Sequence, residues 1–257
     1  PWIRSTAATW APLSAPSYGS SRYSGQGMIF HYSRGEHDFG YVLCLKCGFA
    51  ASETERQKDP YGKLPKVFAD HRRLRGGRRE GAEVECPGSK HRPTRGINLG
   101  AELETDVFEL QLLNPRTGVP IDGNLATTLA VALRQGLCAE LGIEDSEIGW
   151  AITSARVRTD DRERASVIAL YDTAVGGAGF VARAQGLLKI ILHRAAKLLD
   201  CPRACDQACH ACLLTYDTQH HIDKLDRRGA EAFLDGHYLN GLELPPELRL
   251  FGEGTHI

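Results

Sequence analysis

The chain has 257 residues, is 42% hydrophobic and 25% charged, and carries a formal net charge of -1. Such a chain can bury a sizeable core, in one large domain or two small ones. Its near-neutral balance excludes a global pull toward nucleic acid, so any such binding must come from local patches.

From the N-terminus, residues 1 to about 30 are rich in Ser, Ala, Pro and Gly with little periodicity, and they read as an arm or irregular packing segment. The chain begins at Pro1 rather than Met, which suggests a processed protein or part of a longer polypeptide. No signal-peptide order is present and no stretch approaches the roughly 18 consecutive apolar residues of a membrane span, so a cytoplasmic, membrane-free protein is expected. "FGYVLCLKCGFA" then predicts a short strand that delivers Cys44 and Cys47 at a turn on Gly48. The polar stretch to Gly96 contains "HRRLRGGRR", with Arg72, Arg73, Arg75, Arg78 and Arg79. A run of this kind is a solvated loop or a loop that contacts phosphate.

Beyond it the periodicity tightens. "TDVFELQLL" alternates Phe108, Leu110 and Leu112 with polar residues, the period of a half-buried strand. Leu125, Leu129, Leu133, Leu137 and Leu141 recur every four residues, predicting a helix capped by Asn124 and stopped by Gly142. Cys138 falls inside that helix as a small buried residue. "IGWAITSARV" and "RASVIALYD" predict two further strands, and a second helix runs from Phe180 to Leu199. The order points to an α/β fold, with α+β as the variant: a mixed sheet packed by helices, with loops stapled by zinc. The division expected is 1–98 and 99–257.

The cysteines supply the chemistry. Cys201, Cys205, Cys209 and Cys212 stand at C-x3-C-x3-C-x2-C spacing directly after the second helix. In a reducing compartment, thiols this close together point to metal, and four thiolates on one loop close a tetrahedral zinc shell. Cys44, Cys47 and Cys86 form three-quarters of a second zinc site, with His71 or His91 as the fourth ligand. Such a site would staple the base of the arginine loop. "DTAVGGAGF" sits between strand and helix, where glycines allow close packing or amides attract an anion such as a nucleic-acid phosphate. It lacks the lysine of a nucleotide-binding loop, and Asp172 reads there as an orienting or capping group.

"LYDTAVGGAGF", the following helix, "CDQACHACLLTYDTQHH" and "LDRR" together resemble the zinc-binding C-terminal domain associated with MrfA-type superfamily 2 DNA helicases, across roughly Leu99 to Leu234. The version in the helicase-partner subunit of the DISARM phage-defence system is similar in these motifs, and "CLKCG" with "CPG" resembles what precedes the domain there. The resemblance implies a non-catalytic, zinc-stapled module that docks on a DNA-translocating ATPase and helps hold the DNA backbone, with Cys201, Cys205, Cys209 and Cys212 as zinc ligands. It leaves open a role in a DNA-repair helicase, and whether the motor is fused or separate. The rival reading is a metal-assisted nuclease built on His220, His221, Asp217 and Asp172. The two histidines also read as a bridge from the zinc loop to the following helix.

Overall fold

The computed structural model describes residues 2–6, 9–13, 16–56, 62–69, 71–72, 86, 88, 93–157 and 160–242. They divide into two compact units, one of residues 1–2 and 30–102, the other of 3–29 and 103–257.

In the larger unit, α2 (Gly123–Leu141) and α3 (Ala184–Leu199) cover one face of a sheet. That sheet runs in the order β1 (Trp2–Arg4), β3 (Gly19–Ser33), β7 (Leu99–Leu112), β9 (Asp160–Asp172), β8 (Ile148–Val157), and β2 (Ala11–Pro12) pairs with β3. β9 is antiparallel to both β7 and β8, so β7 and β8 run the same way and α2 crosses between them. The pairings described are antiparallel, so the fold is the α+β form of a helix-backed sheet. Alternation in β7 sends Phe108, Leu110 and Leu112 into the main core, while Val107 joins a smaller cluster with Ile29, Ala151 and Tyr171.

The leucine stripe of α2 is as expected, with Leu129, Leu133 and Leu137 buried. Its cap is not Asn124. Asp122 lies two residues earlier, and its carboxylate accepts the Leu125 N–H at 2.8 Å, where its charge also suits the helix dipole. Gly142 ends the helix in the left-handed region, φ 68°. Gly136 marks the close approach of α3, since a Cβ there would meet the Ile191 carbonyl at 3.0 Å. Cys138 is buried, which pushes its thiol up to about 12.

The N-terminal stretch differs from an irregular arm. Residues 19–33 form the long strand β3, whose inward positions include Ser21, Ser24 and Gly27 in place of apolar residues. Gly27 is needed because a Cβ would run into the Val107 side chain. On the same strand, Arg22 forms a two-pronged ion pair with Glu109 at 2.6 and 2.9 Å.

In the smaller unit, β4 (Tyr41–Leu43) lies between β5 (Ala50–Ser52) and β6 (Thr94–Ile97), with the short helix α1 (Lys66–Ala69) following. Its core is Val42, Phe68, Cys44 and Cys86, so half of the fully buried set is thiol. Arg95 on β6 grips Glu53 at 2.7 Å and donates to the Gly62 and Lys63 carbonyls at 2.8 and 3.0 Å.

Candidate metal centres

The helix α3 ends at Leu199 and hands the chain to the cysteine loop, whose exit is anchored by fully buried Leu213. Between these points lie Cys201, Cys205, Cys209 and Cys212, with all four sulfurs within 4.8 Å of one another. The Cys201–Cys209 and Cys205–Cys212 separations are both 3.6 Å, and Cys209–Cys212 is 3.8 Å. Tetrahedral zinc with bonds of 2.3 Å requires sulfurs about 3.8 Å apart, nearly twice a disulfide bond. The loop accepts backbone strain to reach this shape: Ala204 has φ 45°, and its N–H donates to the Cys201 carbonyl at 2.8 Å.

Protonation states favour a cation at the centre. Burial opposes ionisation of Cys201, yet N–H groups of Cys205 and Arg203 outweigh it and bring the thiol down to about 6. Cys205 goes the other way, pushed up to about 12 by burial and by its thiol neighbours Cys212, Cys201 and Cys209. One thiolate therefore suppresses the next, and a divalent ion relieves that repulsion. Further N–H groups point at sulfur, from Cys209 to Cys212 at 3.3 Å and from Ala211 to Cys209 at 3.4 Å.

The cluster that comes first in chain order, with the four-cysteine loop as the second, joins distant parts of the smaller unit. Cys44 leaves β4, Gly48 turns the chain at φ 79°, and hydrogen bonds from Gly48 N–H to the Cys44 carbonyl and from Cys44 N–H to the Phe49 carbonyl, both 2.8 Å, close the knuckle that carries Cys47. Cys86 Sγ lies 3.9 Å from Cys44 Sγ, and the donor atoms of Cys44, Cys47, His71 and Cys86 all fall within 4.8 Å of one another. The His71 ring is set for metal. Its Nδ1 pairs with the Phe68 carbonyl at 2.7 Å, which makes Nδ1 the N–H donor and leaves Nε2 with a lone pair. Nε2 is buried and has no hydrogen-bond partner among the described residues. Phe49 stacks on the ring at 4.8 Å, nearly parallel at 10°. His91 lies outside the described residues.

Two residues at these centres escaped the sequence reading. Gly88 donates its N–H to Cys86 Sγ at 3.3 Å, and a Cβ there would collide with Cys44 Sγ. The Cys-Pro-Gly order was the available signal. Arg227, in "LDRR", is buried at the start of α4 (Arg227–Phe233) and donates from Nε to the Cys205 carbonyl at 2.6 Å and from Nη1 to the Leu199 carbonyl at 2.5 Å. No spacing rule flags an arginine that binds carbonyls.

The remaining candidates are occupied otherwise. The glycine-rich turn is no anion cradle: Ala178, Phe180 and Val181 donate their N–H groups to Asp172 at 2.7, 3.1 and 3.0 Å, and Gly179 donates to Asp106 at 3.1 Å. Asp172, fully buried, is the turn's own anion. Asp217 is held by Arg134 at 2.5 Å, and that guanidinium with the Thr215 hydroxyl brings its carboxyl, against the effect of burial, down to about 2. His221 lies edge-on to Trp150 at 5.4 Å, in the 3-10 turn Thr218–Lys224 that links the cysteine loop to α4. His220, His221, Asp217 and Asp172 form no metal-type grouping among the described residues. Of the arginine run, Arg72 is exposed, and Arg73, Arg75, Arg78 and Arg79 lie outside the described residues.

A helix-backed sheet and a small three-stranded unit, each with four donor atoms gathered as zinc would need them, define an α+β protein with two candidate zinc sites. Residues 129–213 match the family model of the MrfA Zn-binding domain. The stretch holds most of α2, with β8, β9, α3 and the four-cysteine loop, and leaves the first cluster outside. Among solved structures, one similar chain is the DUF1998 helicase MrfA in a crystal structure bound to DNA, at 12% identity and a TM-score of 0.44 over 87% of this chain. The alignment spans 24% of that chain. The comparison with curated proteins finds no match. Zinc is the cofactor that the matched family and both donor sets have in common. Among the described residues no helix is long and apolar enough to cross a membrane.

Proposed function

We propose that this chain is a non-catalytic, zinc-stapled accessory module of an ATP-driven superfamily 2 DNA helicase, fused or separate, that supplies docking surface and a grip on the DNA backbone. Cys44, Cys47, His71 and Cys86 hold the first zinc, and Cys201, Cys205, Cys209 and Cys212 hold the second. Each ion works as a structural cross-link, because four protein donors leave no position for substrate or water. The observation that carries the reading is a four-thiol loop at zinc spacing inside the stretch that matches the MrfA Zn-binding domain. The engaged state of Asp172 and Asp217 supports the absence of nuclease chemistry. Likeness of "CLKCG", "CPG" and "CDQACHACLLTYDTQHH" to DISARM helicase partners supports a cytoplasmic role in anti-phage defence.

The first zinc joins His71 to Cys86, the two ligands between which the arginine run lies in the sequence. Neutralising Arg72, Arg73, Arg75, Arg78 and Arg79 should weaken DNA binding by the helicase-bound chain on all sequences alike. It should also flatten the salt dependence by roughly one unit per lost phosphate contact. The purified chain alone should neither hydrolyse ATP nor cut DNA with Mg2+. Robust ATP hydrolysis or divalent-dependent cleavage would overturn the proposal, and an unchanged salt slope would remove the DNA grip from it.

A further inference from the structure

Zinc bound by four thiolates carries a net charge of about -2, which must be offset where the site is buried. Cys201 and Cys212 are both buried, and Cys205 and Cys209 are half-buried. The first residue of α4 meets this need in two ways. The Arg227 guanidinium, itself 4% exposed, reaches the Cys205 carbonyl and the Leu199 carbonyl, the latter at the end of the helix that delivers Cys201. Its own N–H donates to the Gln207 carbonyl at 3.1 Å. Glu231, one turn on, holds Nη1 at 2.7 Å, and Arg228 pairs with Asp206 at 2.6 Å. The entry to the loop at Leu199 and its first half at Cys205 are thus tied to one cation.

We infer that Arg227 is the positioning residue of the four-cysteine centre: it clamps the two backbone segments that carry Cys201 and Cys205 and supplies the buried positive charge that slows zinc release. The inference rests on the zinc reading proposed above. The guanidinium spreads its donors over Nε and Nη1 and so reaches two divergent carbonyls and a carboxylate, whereas a lysine ammonium gathers its donors on one atom and keeps the charge while losing the bridge. Glu231, by contrast, steers the guanidinium and touches no part of the loop.

The test is zinc release from the full-length chain to a chromogenic chelator, resolved by site. Partners in the outer shell of a metal site are typically worth 10–100-fold in affinity. Arg227→Met should therefore release the second-site zinc about 10–100-fold faster, with Arg227→Lys between it and the parent. The first-site rate should stay unchanged in both, a selectivity that general destabilisation would not produce. Glu231→Gln should change release by less than about threefold. Second-site release from Arg227→Met at the parental rate would overturn the inference while leaving the zinc assignment intact, as would Glu231→Gln matching Arg227→Met. If Arg227→Met does not fold, Arg227→Lys decides: parental release overturns the inference and selectively faster release supports it. A parent without zinc would instead overturn the underlying reading.

Discussion

The two metal centres use the same chemistry to solve different folding problems. Cys201–Cys212 draws its ligands from twelve residues and hangs on a large core that α2, α3 and the sheet already build. Cys44, Cys47, His71 and Cys86 instead span more than forty residues of a unit in which two of the four fully buried core residues are themselves thiols. A metal in the first case shapes a loop, and in the second it substitutes for a core. Each unit has an arginine that donates to carbonyls, but Arg95 holds Gly62 and Lys63, away from the ligands of its unit, whereas Arg227 holds the Cys205 carbonyl inside the cysteine loop.

The largest expected effect follows from that contrast. Cys44→Ser should abolish hydrogen-exchange protection across residues 40–97, because small metal-built units lack an independent apolar core. Cys209→Ser should expose only the loop around 200–226 to proteolysis and leave α2 and the β8–β9 pair protected. Equal, chain-wide loss in both variants would break the comparison.

A smaller effect is expected at Gly88. Substitution by Ala pushes a methyl onto Cys44 Sγ, so first-site zinc should be lost or bound at least 10-fold more weakly while the second site is untouched. Competition with a chelator of known affinity checks it. The smallest effect concerns Asp217, whose partner Arg134 is buried although the Asp217 side chain is 48% exposed. Its carboxyl titrates near 2 in the folded chain against 3.8 ordinarily, so the ion pair is fully stabilising above about pH 4 and is lost as pH falls toward 2. After allowance for solvent screening, Asp217→Asn should cost about 1 kcal/mol at pH 7, with the parent-to-variant difference closing in acid. A difference that grows on acidification would contradict the ion pair.

Much of the larger unit was legible because its residues sort by period. The every-fourth leucines of α2, the alternation of β7 and the apolar run of β9 each bury the face they announce. β3 was hidden because most of its buried positions, Ser21, Ser24 and Gly27 among them, carry no hydrophobic signal, and Ile29 alone sets no period. The cap of α2 was misplaced because Asp122 and Asn124 are both good caps, and only the chain direction at Ile121 chooses between them. Cysteine spacing located both clusters. It could not choose between His71 and His91, since that depends on the Phe68 carbonyl fixing the ring nitrogen that faces the thiols. Asp172 was seen as a capping group, but the three amides it gathers become visible only once the turn is folded.

Zinc stoichiometry in the purified full-length chain tests the central claim most directly. Two zinc ions per chain are expected for the parent, one after Cys44→Ser with the C-terminal cluster intact, and one after Cys209→Ser with the first cluster intact. A parent without zinc, or mapped disulfides among Cys201, Cys205, Cys209 and Cys212, would contradict it.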